Sequence, residues 1–113
     1  MGTPSVAFFG TANTLLTVDI NASSNGNNTI VAAVPGKKIA FLYGDLVCAG
    51  AVTVTWESGG GSILDGPKAF SANGGQIYPE VAHWHFLTLP GEALVLNLSG
   101  PVQVGGHCVC GVV

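Results

Sequence analysis

The last ten residues, VGGHCVCGVV, contain three side chains that could bind a metal ion. His107, Cys108 and Cys110 offer one imidazole and two thiolates, and two further histidines lie upstream in His83-Trp84-His85. Imidazole nitrogen and thiolate sulfur are ligands that zinc accepts in structural and catalytic sites. One hypothesis is therefore a zinc site, and the alternative is an ordinary strand with two small residues in the core.

The spacing within the last ten residues favours the strand. Successive side chains of a strand point to opposite faces, so Cys108 and Cys110 continue the face of Val104. His107 then lies on the other face, unless Gly105-Gly106 forms a β-bulge that shifts the register. We therefore predict two buried cysteines and no metal at this strand.

The two upstream histidines are two residues apart, so on a strand they would share one face and could chelate a metal. This His-x-His pattern is similar to the metal motif of cupin jelly rolls, which adds a Glu a few residues later. Here the nearest such residue is Glu92, which follows the Pro90-Gly91 turn and has the wrong spacing. The chain also lacks a nucleophile elbow, a His-Glu-x-x-His helix and a Cys-x-x-Cys pair. We predict no catalytic residue and no cofactor.

Composition restricts the class of protein. The 113 residues suit a single domain, and only 8% are charged while 48% are hydrophobic. Lys37, Lys38 and Lys68 are the basic residues, and a net charge of −3 does not favour nucleic acid as a partner. Residues 1–9 lack a basic region, and no apolar run approaches the roughly 20 residues of a membrane span. The composition predicts neither a signal peptide nor a membrane partner.

The three cysteines are an odd number, which does not suit a secreted disulfide framework. Cys108 and Cys110 are also too close along one strand to pair with good geometry. We predict that all three thiols, including Cys48, are reduced and buried, as expected of a protein made in a reducing cytoplasm.

Turn signals divide the chain into about eight short strands and predict an all-β antiparallel sandwich or jelly roll. Turns are predicted at 21–28, 35–38, 59–62, 65–67 and 73–75. The strands between them include 14–20, 29–34, 39–49, 51–57, 84–89 and 92–98, followed by a terminal strand. Residues 13–113 form this single domain in the prediction, and residues 1–12 form an N-terminal arm or edge strand.

Two strands show the two-residue period of a half-buried antiparallel strand. The period predicts that six side chains lie in the core: Val52, Val54, Trp56, Leu94, Leu96 and Leu98. Trp56, Tyr78 and Trp84 leave open a carbohydrate-binding surface, although core packing is favoured for Trp56.

From about Ile30 onward, the order of features resembles a small family of bacteriophage virion proteins. The similar stretches include IVAAVPGKKI at 30–39, GAVTVTW at 50–56, ANGG at 72–75 and GEALVLNLS at 91–99. The resemblance covers about three-quarters of the chain. Members of the family more often have apolar or aromatic residues at Cys108 and Cys110, and a single aromatic near His83-Trp84-His85.

The resemblance implies a β-sandwich or jelly-roll domain that decorates or cements a capsid as an oligomer. On this hypothesis the partners are the major capsid protein and further copies of the chain, as a homotrimer or alternatively a homodimer. The protein would be made in the host cytoplasm and would lie on the virion surface. In the N-terminal arm, the apolar residues Val6, Phe8 and Phe9 would contact the shell or a sister subunit. A tail, baseplate or head-fibre component is the alternative within structural proteins, and a cupin-like enzyme is the alternative of another class.

Overall fold

The computed structural model describes residues 14–113, and within them the chain is built from nine strands without a helix. The strands are β1 (Thr14–Ala22), β2 (Gly26–Val31), β3 (Ile39–Cys48), β4 (Val52–Ser58), β5 (Ile63–Phe70), β6 (Gly75–Tyr78), β7 (Phe86–Leu87), β8 (Leu94–Leu98) and β9 (Val104–Val112). The predicted arm at residues 1–12 lies outside the described residues. No helix among residues 14–113 is long and apolar enough to cross a membrane.

The strands form two antiparallel sheets that pack face to face. Sheet A has the order β1-β9-β3-β6, with β7 also paired to β3, and sheet B has the order β2-β8-β4-β5. Strands from the two halves of the sequence thus alternate within each sheet, which is the arrangement of a jelly roll. The prediction of an all-β antiparallel sandwich is confirmed.

The core lies between the two sheets, and the six side chains predicted from the two-residue period are all buried. Trp56 and Phe41 are its largest fully buried members, and their ring centroids lie 5.2 Å apart. Phe86 stacks on Phe41 at 4.7 Å. Thr55 is also buried, although alternation places it on the outer face of β4, because a register shift interrupts the pairing of β4 with β5.

Several strand boundaries differ from the prediction. β2 begins at Gly26 rather than Thr29, so Asn27 and Asn28 belong to a strand and not to a loop. The side-chain amide of Asn28 donates to the carbonyls of Ser24 and Gly26, which closes the short turn before β2 within three residues. At its other end, β2 stops at Val31, three residues before the end of the predicted strand 29–34.

The turn predicted at 65–67 is wrong, because β5 continues through Asp65-Gly66-Pro67. Gly66 has a φ of 101° at a register shift opposite Val54 and Trp56, and the Gly66-Pro67 peptide is cis. β5 is an edge strand of sheet B, where a proline does not remove a ladder hydrogen bond that a neighbour needs. Turn-forming residues here make a bulge within a strand.

The strand predicted at 84–89 is reduced to the two residues of β7. His85 and Thr88 each donate a backbone N–H to β3, to the carbonyls of Phe41 and Ile39, but the segment 79–85 is irregular. The Thr88 hydroxyl, in turn, accepts the N–H of Ile39. β7 is therefore a two-residue strand that pairs with β3 and does not extend further.

Candidate functional site

The two faces of β9 separate the ligands that the sequence places together. Cys108 and Cys110 point into the core and are fully buried, and their sulfur atoms lie 3.8 Å apart. His107 points to the outer face of sheet A and is exposed. The register of β9 with β1 runs without a shift from Val104 to Val112, so Gly105-Gly106 forms no bulge. The prediction that His107 and the cysteine pair lie on opposite faces is confirmed.

The thiols of Cys48, Cys108 and Cys110 are free and buried. Burial raises the pKa of Cys48, and the Cys108 contact together with burial raises the pKa of Cys110. Because the thiolate is the form that binds metal and attacks electrophiles, a raised pKa disfavours both reactions. The prediction of three reduced, buried cysteines agrees with the structure.

A glycine on β3 makes room for the cysteine pair. Gly44 is the cross-strand partner of Cys108, and a methyl group added at Gly44 would lie 2.6 Å from the Cys108 Cβ and 2.8 Å from its Cα. A side chain at this position of β3 therefore cannot coexist with Cys108 in the present packing. Two of the three nearest atoms are backbone atoms of β9, so the restriction comes mainly from the close approach of β3 and β9.

His83 and His85 do not lie on a strand, so the premise that they share one face of a sheet is wrong. His85 Nε2 is 2.6 Å from the carbonyl oxygen of Pro79, and the ring packs edge-on against Phe41 and Tyr78. The His83 ring packs edge-on against Trp84. Within residues 14–113, no group of three or more His, Cys, Asp and Glu side chains has a geometry that could hold a metal ion.

A polar network closes the side of the sandwich between β5 and β6. Trp56 Nε1 donates to the hydroxyl of Tyr78, which donates to a carboxylate oxygen of Asp65 at 3.0 Å. Lys68 donates to the same Asp65 oxygen and to the side chain of Gln76. Burial and the neighbouring Asp65 carboxylate raise the pKa of Tyr78, so its hydroxyl stays protonated.

This network also bears on the alternative that Trp56, Tyr78 and Trp84 form a carbohydrate-binding surface. A stacking platform for a sugar needs exposed aromatic faces, but Trp56 and Tyr78 are both buried. Their polar atoms are used inside the protein, since the indole N–H and the phenol are bonded to each other. Core packing of Trp56 is therefore confirmed, and two of the three proposed platform residues are not on the surface.

A second polar cluster joins two loops at the end of the sandwich where β3 begins. The Ser58 hydroxyl donates to Glu92 Oε1 and accepts the backbone N–H of Leu89, and the Gly60 N–H also donates to Glu92. The hydrogen bond from Ser58, and then the one from Gly60, lower the pKa of Glu92. This Ser and Glu pair holds the glycine-rich loop 59–61 against the Pro90-Gly91 turn.

The outer face of sheet A carries a row of polar side chains from three strands. His107 lies between two carboxylates, because its cross-strand partners are Asp19 on β1 and Asp45 on β3. Within residues 14–113 neither carboxylate takes part in a hydrogen bond or an ion pair. Sequence reasoning missed this row, because its members come from three strands that are distant in the chain.

Beside this row lies an apolar groove. Val47 is 54% exposed and Ile77 is 77% exposed, and Gly75 lies opposite Val47 in the pairing of β3 with β6. A groove of about 610 Å³ is lined by Asp45, Leu46, Val47, Gly75, Gln76 and Ile77. Val47 and Ile77 supply the exposed apolar side chains of the groove, and Asp45 and Gln76 add polar ones.

The predicted contact residues Val6, Phe8 and Phe9 lie outside the described residues, so their role stays a prediction.

Comparison with known proteins adds evidence on the fold. No protein-family model and no curated protein matches the chain. A solved structure from a study of Bacillus endospore appendages, which form a novel family of disulfide-linked pili, is similar in fold. The identity is 15%, the TM-score is 0.50, and the match covers 89% of this chain and 85% of that chain.

Proposed function

We propose that the protein is a non-enzymatic virion structural protein that decorates a bacteriophage capsid. In this function it binds the outside of the major capsid protein shell and stabilises the shell. The observation that carries the proposal is the set of large apolar side chains that the folded domain leaves on its surface: Val47, Ile63, Ile77, Val81 and Leu89.

These side chains are exposed on a protein with few charges. Charged residues make up only 8% of the chain, so little electrostatic repulsion opposes contact with another neutral surface. Val47 and Ile77 line one groove of sheet A, and contiguous exposed apolar surface is typical of sites that bind other proteins. The polar clusters around Tyr78 and Glu92, in contrast, make hydrogen bonds within the fold.

The sequence resemblance from Ile30 onward supports the location on a virion. The proposed partners are the major capsid protein and other copies of the chain, as a homotrimer or alternatively a homodimer, with no nucleic acid, membrane or cofactor. The N-terminal residues Val6, Phe8 and Phe9 are proposed contacts with the shell or with a sister subunit. Many small contacts acting together would resist the pressure of packaged DNA, because the release of one contact is reversed while the others hold.

The similar solved structure supports the β-sandwich fold of the protein and not its location or partners. Its pili are disulfide-linked, whereas Cys48, Cys108 and Cys110 of this chain are buried and free. A disulfide to another subunit would require the core to open. The proposed assembly is therefore non-covalent.

The copy number of the chain in purified virions tests the proposal. We expect a ratio near one to the major capsid protein when both are counted by quantitative mass spectrometry. A handful of copies per particle would replace decoration with a tail, baseplate or head-fibre role. Absence of the chain from virions would contradict the whole structural proposal.

Binding to shells tests the N-terminal contacts. Empty shells are incubated with the full-length protein or with a variant that combines Phe8→Ser and Phe9→Ser, and bound protein is measured after sedimentation. The occupancy of the variant should be far lower than that of the wild type. A variant that combines Thr3→Ala and Ser5→Ala is the control and should bind as the wild type does. Equal binding by all three proteins would contradict a role for the two phenylalanines.

A further inference from the structure

The surface carries two features of opposite charge at opposite ends of β3. One is the apolar groove with the carboxylates of Asp19 and Asp45 beside it, which we name the socket. The other is the turn at residues 34–38, which carries Lys37 and Lys38 and which we name the knob. Within residues 14–113, neither lysine side chain takes part in a hydrogen bond or an ion pair.

The knob is a rigid projection. The Lys37 N–H donates to the carbonyl of Val34, with Pro35 and Gly36 between them, and Gly36 has a φ of 73°. Proline followed by a glycine of positive φ is typical of a type II turn. The Gly91 N–H donates to the Lys37 carbonyl, and Lys38 exchanges both of its backbone hydrogen bonds with Val113. The exposed Pro35 is therefore held at the tip of the turn in one conformation.

The socket is complementary to this projection in charge and in polarity. Val47 and Ile77, which line the groove and are exposed, offer apolar contact to a proline ring. Asp45 borders the groove, and Asp19 lies two strands away in the same row. Within the described residues 14–113, the two carboxylates near the socket and the two lysines of the knob form no ion pair, so their charges are available to pair with each other.

The knob of one molecule cannot reach its own socket. β3 begins at Ile39, directly after the knob, and the socket residues Asp45 and Val47 lie near its other end. At about 3.3 Å per residue the two features are roughly 25 Å apart along a rigid strand. Contact between them requires two molecules.

We propose that the knob of one copy binds in the socket of a second copy. Pro35 of the first copy would lie between Val47 and Ile77 of the second, and Lys37 and Lys38 would pair with Asp45 and Asp19. Such a contact is heterologous, because different surfaces of the two copies meet, and it forms a closed ring or an open chain according to the rotation between copies. A homotrimer of the kind proposed above is one such ring. The contact extends the proposed function, but it requires neither a capsid nor a virion.

Sedimentation of the purified full-length protein over a range of concentrations, at low salt, tests this contact. We expect reversible association that weakens as salt is added, because the pairing charges are exposed and are screened. Asp45→Lys and Lys37→Glu should each raise the dissociation constant by at least about tenfold, because like charges would then face each other. Circular dichroism checks that both variants are folded.

Two features make the test specific. Asp45→Lys changes the net charge from −3 to −1, so general repulsion between copies falls while the proposed contact is weakened. Glu57→Lys makes the same change of net charge on sheet B and is the matched control; it should not weaken association. An equimolar mixture of the Asp45→Lys and Lys37→Glu proteins should associate again, because the native knob of the first fits the native socket of the second.

Three outcomes would overturn the inference. If the wild type is a monomer at every concentration, the socket does not bind a second copy, even where the protein still binds shells. If Asp45→Lys weakens association but Lys37→Glu does not, the socket meets another surface. If the mixture of the two variants stays monomeric, the charges do not pair across the contact. Failure of capsid decoration, in contrast, would leave self-association of the purified protein unchanged.

Discussion

The two faces of β9 each carry side chains that could bind a metal, but these side chains differ in burial. On the inner face, Cys108 and Cys110 are fully buried, and their sulfur atoms contact each other. On the outer face, one residue away, His107 is exposed between two carboxylates. The pleat of a strand, and not closeness in sequence, therefore decides which side chains can act together. The inner face packs in the main core, whereas the outer face combines exposed side chains around His107 with a smaller buried cluster of Ala40, Leu42 and Val109.

The largest expected effect is on the inner face. Trp56→Ala should lower the free energy of unfolding by about 3–5 kcal/mol, because it removes a buried ring and its contacts with Phe41 and Phe86. It also leaves the Tyr78 hydroxyl without the indole donor. Urea unfolding followed by circular dichroism gives the value. Trp84→Ala is the comparison, because this half-buried ring packs against the small cluster of Ala40, Leu42 and Val109 on the outer face of sheet A. It should cost clearly less, and an equal cost would contradict the greater weight given to the main core.

The next effect concerns the close approach of two strands in sheet A. Gly44→Ala should destabilise the fold by about 1–3 kcal/mol, because the new methyl group meets the backbone and Cβ of Cys108. Gly100→Ala is the matched control, since nothing lies within 4 Å of the added group there. Its effect should stay within about 0.5 kcal/mol. If the two variants unfold at the same midpoint, packing does not require a glycine at position 44.

A third prediction concerns reactivity rather than stability. At pH 8 the native protein should be alkylated slowly by iodoacetamide at all three cysteines, because burial limits access and raises the pKa of Cys48 and Cys110. In denaturant without reductant, mass spectrometry should find three modified thiols per chain. Rapid labelling of the native protein at Cys108 or Cys110 would mean that the inner face of β9 opens readily. Fewer than three labelled thiols in denaturant would reveal a disulfide.

The sequence predicted those parts of the structure that follow from local alternation. The buried faces of β4 and β8 and the two faces of β9 were predicted because one strand contains the whole pattern. β5 was missed because Gly66 and Pro67 are typical of turns, and only the edge position of the strand and the bulge opposite Trp56 allow them within it. His83 and His85 were placed on a strand because their segment is apolar, but the pairing with β3 extends over two residues.

The polar clusters could not be predicted from the sequence for a different reason. Asp65, Tyr78 and Trp56 come together only when β5 and β6 close the side of the sandwich. The row of Asp19, His107 and Asp45 depends on the register of three strands, and a register is fixed by long-range packing. Residue types that indicate chemistry in the sequence therefore needed the structure before their roles could be assigned.

The smallest expected effect lies on the outer face and also tests the metal hypothesis. His107→Thr should change the free energy of unfolding by no more than about 0.5 kcal/mol, because the imidazole is exposed and a β-branched residue suits a strand. Added zinc should leave the melting temperature of the wild type unchanged, since a ligand stabilises a fold only when it binds the native state more tightly than the unfolded chain. A rise in melting temperature that zinc causes in the wild type and not in His107→Thr would establish a metal site at His107, with Asp19 and Asp45 as its nearest ligands. The same rise in both proteins would direct the search to His83 and His85 instead.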